Sequence, residues 1–386
     1  MHIRLLAILV VLMGVAASGA TQPDSEQIWT SIEQLGDFDF AVRTEASRVI
    51  RRASAETVVP ILLRVARDHE DSYVQFRAAV LLYGFEDSRA RAFFEEAFDL
   101  SNDRIRAAAY DYFEHKPDPV MVPKLLAALD RETSEFVRPA LVRALAAQDE
   151  NAQVQSRLFR DVDQGEAYFR GAVIEALGDY DAGYAVEALM PIASQDGPLQ
   201  DDALLALGKI GDDRALGTVR RVQTVASSEL QPIVSAAACL MKVDCPSQLP
   251  YIIDALGYGA EVDKDGGQVL LRSAATALGA LAMREHRDAL DALFDVGATA
   301  TETARAPIAL ALGTVALRNP EYVVEMLGER TDPELALLLL RNAFDMLDED
   351  FPKERFYILM RSRYWLSPKD SRAQHVAELA IQILEF

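Results

Sequence analysis

Apolar positions along this chain come in short helical bursts divided by polar turns. Between residues 103 and 130, Ile105, Ala108, Ala109 and Tyr112 share one helical face. Lys116-Pro117-Asp118-Pro119 then breaks the run, and Val122, Leu125, Leu126 and Leu129 form a second stripe at i, i+3, i+4 and i+7. Two helices of about 12 residues, each roughly 18 Å long, fit this pattern. The pair with its two turns recurs. Asp87, Asp118, Asp149, Asp181, Asp212 and Asp244 mark the turn, at gaps of 31, 31, 32, 31 and 32 residues. A fixed period of this size marks an array of similar units, each stacked on its neighbours.

Three landmarks recur within the unit. The periodic aspartate stands just before the second helix, where a carboxylate accepts from free backbone N–H groups and meets the positive end of the helix dipole. Asp118 is followed by Pro119, a residue suited to the first helical position. The first helix carries an apolar residue followed by arginine, as Arg43, Arg77, Arg106, Arg138, Arg170 and Arg272, with a weaker copy at Arg305. The second helix opens on Val59-Pro60 in one unit and Val122-Pro123 in another, each followed by paired leucines.

These residues together resemble the HEAT repeat family, in its short bacterial form, over roughly residues 38 to 365. The resemblance implies an all-α, right-handed α-solenoid (superhelix) of about ten antiparallel helix pairs, beginning near 41, 73, 104, 135, 167, 198, 230, 268, 302 and 334. It implies that the second helices line the concave side. It also assigns the arginines and aspartates above to a ladder of hydrogen bonds tying unit to unit. Two rungs are expected to be missing. Asp201-Asp202 replaces the arginine near 198–229, and the unit near 230–257 has no arginine in its first helix. Residues 21–40, with Ile28, Trp29, Ile32 and Leu35 at helical spacing, are read as a front cap, 41–365 as the array, and 366–386 as a capping helix. The tetratricopeptide Trp, Leu-Gly and Tyr positions and the ankyrin Thr-Pro-Leu-His turn are missing.

Composition adds location and excludes some partners. The chain has 386 residues, half of them apolar. A single core of that size would usually split into domains, whereas an array grows in one dimension. Residues 1–20 read as a secretory signal peptide: Arg4, an apolar run from Leu5 to Ala17, then Ser18-Gly19-Ala20. The expected location is therefore secreted or periplasmic, with no stable membrane insertion after cleavage. An uncleaved anchor is the alternative, but the run is shorter than the roughly 20 residues a span needs. Sixty acidic residues against 39 basic ones give a net charge of −21. Nucleic-acid binders need the opposite sign, so no nucleic-acid partner is expected. A basic partner is compatible with the balance, as is plain solubilisation of the array.

The period breaks once. After Asp244 the next matching turn, near Glu285, comes about ten residues late, and the excess lies in a loop spanning Gly257–Gly267. Glu261, Asp263 and Asp265 alternate there like the first half of a calcium loop, but the twelfth position is Arg272 in place of glutamate. A solvated acidic turn is the simpler reading. Cys239 and Cys245 are the only cysteines. A disulfide between them requires the turn at Val243-Asp244 to fold back, and two separate thiols are the other reading. Tyr357, Arg361, Arg363, Tyr364, Trp365, Lys369 and Arg372 form the most basic and aromatic stretch, either end-cap packing or a docking surface for acidic groups.

Familiar catalytic signatures are missing. There is no His-Glu-x-x-His, Cys-x-x-Cys, Gly-x-Ser-x-Gly or P-loop, and His69, His115, His286 and His375 fall in different units. The sequence therefore points to a protein with no catalytic, cofactor-binding or metal residues. The expected function is a scaffold or adaptor in the cell envelope, holding a protein or peptide on a concave helical surface by many shallow contacts. Two alternatives stand beside it: a HEAT-like lyase-type or other enzyme-associated protein, and a structural envelope spacer.

Overall fold

The computed structural model describes residues 22–85, 87–261, 265–347 and 350–386. The expected signal segment at 1–20, and Asp263 of the acidic loop, lie outside the described residues. Among the described residues there is no strand, and no helix is long and apolar enough to cross a membrane.

A front helix α1 (Ser25–Gln34) precedes the array. Consecutive units follow as α2 and α3 (Phe40–Arg52, Ala55–Asp68), α4 and α5 (Ser72–Tyr83, Ser88–Glu96), and α6 and α7 (Asp103–His115, Val122–Arg131). Next come α8 and α9 (Arg138–Ala146, Ala152–Asp161), α10 and α11 (Ala167–Asp179, Val186–Ala193), and α12 and α13 (Gln200–Ile210, Leu216–Val225). Then come α14 and α15 (Gln231–Leu240, Cys245–Glu261), α16 and α17 (Asp265–Met283, Arg287–Thr299), and α18 and α19 (Glu302–Arg318, Pro320–Glu329). The chain ends with α20 and α21 (Pro333–Leu347, Asp350–Leu366) and α22 (Arg372–Ile383). The ten first helices open at or within three residues of the starts read from the sequence. The long interval after Asp244 is absorbed by lengthening α15 and α16, so the expected acidic loop is largely helix: Glu261 ends α15 and Asp265 opens α16.

Local chemistry explains the boundaries. Asp24 and Gln27 form a capping box at α1. Ser54, Asp71, Asp87, Asn102 and Asn151 each accept a backbone N–H at the start of the following helix. The buried apolar stripes merge into one continuous spine from Ile28 to Phe386. No unit could bury its own stripe alone, which is why the stability of such a stack lies largely in its interfaces.

The concave side is a correction to the expectation. The first helices, from α6 to α20, pack on one another in an unbroken row, while the second helices touch their counterparts at few places. In a curved stack the closer row is the inner one. Small residues allow it: a Cβ on Gly178 would lie 2.7 Å from Cα of Ala206, and one on Gly208 would lie 2.8 Å from Cα of Ala237. First helices, not second helices, therefore face inward.

The array is also not open. Its end returns to its beginning. Arg48 Nε donates to the Phe386 carbonyl at 2.8 Å, Arg51 Nε donates to Glu354 at 3.0 Å, and Arg77 pairs with Asp350 at 2.9 Å. Phe351 of α21 packs on Phe76, Tyr83 and Phe94 of the second unit. Burying one such ring contributes about 2–3 kcal/mol. The extended concave face expected from the repeat pattern is replaced by a turn closed on itself.

Candidate functional site

Because the first helices line the interior, their C-terminal ends converge there. Those ends carry charge in alternating sign: Glu114 on α6, Arg143 on α8, Asp179 on α10 and Lys209 on α12. Arg143 Nε donates to Glu114 at 2.8 Å and Arg143 Nη1 donates to Asp179 at 2.7 Å. Lys209 donates to the other Asp179 oxygen at 2.6 Å, and the Tyr180 hydroxyl donates to Glu114 at 2.9 Å. From across the turn, Arg318 at the end of α18 reaches Glu114 at 3.7 Å. Arg284, just past α16, pairs with Asp181 and donates to the Gly178 carbonyl at 3.1 Å. A cation at these carbonyl-rich helix ends offsets the negative end of the dipole.

Glu114 and Arg143 are buried, at 5% and 8% exposure. Burial pushes the Glu114 carboxyl up, but Arg143 and then Arg318 outweigh it and hold it down at about 2. Burial acts likewise on Asp179, and Lys209 and Arg143 hold it well below the usual carboxylate range. Beside this network, His115 Nδ1 lies 3.0 Å from the Asp111 carbonyl, and Arg355 donates to His115 Nε2 and to the Leu317 carbonyl. An arginine can only donate, so Nε2 is the acceptor in that pair. Asp111, Glu114 and His115 bring three ligand atoms within 4.8 Å of one another. Arg143, Arg318 and Arg355 crowd the same groups, and that positive surrounding opposes a metal ion.

One helix further on, the balance changes. A cleft of about 380 Å³ opens on the inner face between α10 and α12 on one side and α16 and α18 on the other. Leu205, Ala280, Met283, Leu310 and Ala311 give it an apolar wall, and Glu175, Asp202, Arg272 and Lys209 line its polar part. Among the described residues, Asp202 has no hydrogen-bonded cation. Burial first, then the charges of Glu175 and Asp201, push its carboxyl up to about 6, against a weaker pull from Lys209. Burial also raises Asp201. The cleft is a half-buried acidic pocket with a greasy wall, matched to a cation on an apolar stem.

The residues singled out from the sequence are distributed differently. Asp87, Asp118 and Asp212 accept backbone N–H groups at 2.8, 2.9 and 2.9 Å. Asp149 leaves capping to Asn151, and Asp181 and Asp244 sit in left-handed backbone, at φ 52° and 48°. Arg43, Arg106, Arg170 and Arg305 donate to carbonyls of the turn preceding their own helix. Arg106 also pairs with Glu132, Arg77 pairs with Asp350, Arg138 lies 3.7 Å from the Phe169 ring centroid, and Arg272 faces the cleft. The two sets do not bond to each other among the described residues. They stand at opposite ends of the first helix, about 16 Å apart at 1.5 Å per residue. Cys239 and Cys245 form a disulfide. Of the basic aromatic stretch, Tyr357 packs under Arg51 in the closure, whereas Trp365 is 74% exposed beside a cavity of about 740 Å³ shared with Arg52 and Phe85.

Glu114, Arg143, Asp179, Lys209 and Arg318 were absent from the sequence reading, and Asp202 appeared there only as a residue displacing an arginine. Aligning the units would have revealed them, since each of the first five lies in the last turn of a first helix.

No curated protein matches the sequence. A solved structure of Kap95p with RanGDP, concerned with nuclear import complex assembly, is 12% identical at a TM-score of 0.40, over 92% of this chain and 57% of that one. The chain thus spans little more than half the length of that neighbour, and so distant a likeness does not bear on function. A family model described as HEAT repeats matches residues 30–114, from within α1 through most of α6. The same two-helix unit continues beyond that segment, and the chain is an all-α solenoid whose residues 30–114 are similar to HEAT repeats.

Proposed function

We propose that the protein is a non-catalytic scaffold or adaptor of the cell envelope, and that it holds a basic, amphipathic segment of a protein partner in the inner cleft. HEAT solenoids commonly mediate protein–protein interaction. The observation that carries the finer reading is Asp202, an under-compensated carboxylate beside Glu175 at the mouth of an apolar wall. A lysine or arginine side chain there would restore the carboxylate to its charged form while its methylenes cover Leu310 and Met283. The envelope location rests on the character of residues 1–20.

The test is affinity capture of envelope proteins on the mature chain, followed by salt elution. Partners are expected to elute at a few hundred millimolar salt, and Asp202→Asn with Glu175→Gln is expected to abolish capture while Glu166→Gln, an exposed helix-start residue, leaves it intact. Capture indifferent to both salt and the double substitution overturns the reading. The enzyme-associated alternative draws on the same raised carboxyl, since perturbed acids gather at catalytic sites. It predicts a product formed by the wild type and lost in Asp202→Asn even when capture persists.

A further inference from the structure

Stacking places equivalent turns of neighbouring units side by side, and at one step it assembles a set of soft ligands. Cys239 lies in the last turn of α14, Cys245 is the first residue of α15, and His286 immediately precedes α17 in the next unit. One ligand atom from each, two sulfurs and a ring nitrogen, all lie within 4.8 Å of one another. The two turns are built alike. In the first, Lys242 N–H donates to the Cys239 carbonyl and Val243 N–H to the Ala238 carbonyl, with Lys242 at φ 59°. In the second, Glu285 N–H donates to the Ala282 carbonyl and His286 N–H to the Leu281 carbonyl, with Glu285 at φ 63°. Both close a first helix by a left-handed residue. The backbone itself, not only the disulfide, folds Cys245 back onto Cys239, with their Cα atoms 4.2 Å apart. Cys239 is buried and Cys245 and His286 are half-buried. The His286 ring makes no hydrogen bond among the described residues, so both ring nitrogens are available.

We propose that Cys239, Cys245 and His286 form a site for a soft or borderline cation of the zinc class, present only when the disulfide is reduced. The ligand set is one that zinc accepts at three protein positions, with a fourth left for water or a partner group. Zinc with bonds of about 2.3 Å to sulfur holds two sulfurs roughly 3.8 Å apart, so the bonded and metal-loaded forms exclude each other. Formation balances simply. A dithiol reductant delivers two electrons and two protons to the Cys239–Cys245 bond and leaves as its own disulfide. The divalent ion then displaces the two thiol protons into solvent, and two thiolates with a neutral imidazole leave the site uncharged. The site joins two consecutive units by their inter-helix turns, so loading it staples α15 to α17 as the disulfide cannot.

The experiment uses the full mature chain, reduced with a dithiol, desalted without oxygen and titrated with Zn²⁺ against a chromophoric chelator. Co²⁺ serves as a spectroscopic probe for thiolate ligation. The reduced chain is expected to bind one zinc and to show a thiolate-to-cobalt charge-transfer band, and the oxidised chain neither. Cys245→Ser should remove both signals. His286→Ala should lower zinc affinity by more than the roughly 10–100-fold that outer-shell changes cost, with the oxidised variant keeping the wild-type melting temperature as proof of folding. Absence of stoichiometric zinc binding by the reduced chain overturns the proposal, and so does equal affinity in a folded His286→Ala chain.

Discussion

Asp179 and Asp202 stand on adjacent inner helices of the same repeat array, and their chemistry is opposite. Asp179 receives a guanidinium and an ammonium and is held far below the usual carboxylate range. Asp202 receives neither, and burial drives it up to about 6. The first carboxylate is saturated within the fold. The second leaves an electrostatic demand unmet. In a closed repeat array this difference separates charges that hold the turn closed from charges left over for something else. It also shows why a net charge of −21 says little about where a partner binds: the deepest acids are already neutralised.

The comparison breaks most severely at Arg143. Replacing it with Met removes a cation from both Glu114 and Asp179 and leaves buried charge uncompensated. A loss of about 3–5 kcal/mol in chemical denaturation is expected. A loss below about 1 kcal/mol would show that the interior is wetter than its burial implies. Next comes the closure. Arg51→Ala strands Glu354, which is 2% exposed, and should cost about 3 kcal/mol while enlarging the radius of gyration in small-angle scattering. An unchanged radius means that Phe351 and its aromatic neighbours hold the seam without the ion pair.

Asp202→Asn sharpens the contrast from the other side and should stabilise. The folded carboxyl titrates near 6 against 3.8 unfolded, so the folded state binds the extra proton between those values. The stability this group contributes is present in full below about pH 4 and is lost as pH rises through 6. The Asn variant should therefore gain about 1–2 kcal/mol over wild type at pH 7 after solvent screening, and nothing at pH 3.5. Glu114 runs the other way, with its contribution present above pH 4.5 and lost only as pH falls toward 2. Smaller effects come from the periodic aspartates. Asp118→Ala, which removes an N–H acceptor, should cost about 1 kcal/mol. Asp149→Ala, whose side chain caps nothing, should stay within about 0.5 kcal/mol.

The repeat was legible because it rests on local rules. Apolar stripes at 3.6 spacing, caps such as Asp87 and breakers such as Pro117 act within a few residues, and the first helices open within three residues of where those signals put them. The inward row was not legible, because it depends on which helix carries the smaller contact residues. Gly178 and Gly208 read as ordinary glycines until Ala206 and Ala237 are placed opposite them. Closure was hidden for a related reason: it is the sum of small rotations over many units. The network stayed out of sight because single charges such as Glu114 or Lys209 look like solvated ones, and only their shared position in successive units gives them away. The expected arginine–aspartate ladder failed on distance, since its two halves mark opposite ends of one helix.

Contact between the last helices and the first fixes how many units the molecule holds. An open stack can lose or gain a hairpin and simply become shorter or longer. Here each hairpin supplies a set share of the circumference, so deleting one would carry Glu354 and Phe386 away from Arg51 and Arg48 and leave both seam faces without mates. Duplication, the event that builds such chains, becomes forbidden once the loop has shut. Lineages carrying this architecture should therefore vary in their turns and outer helices while keeping the same unit tally.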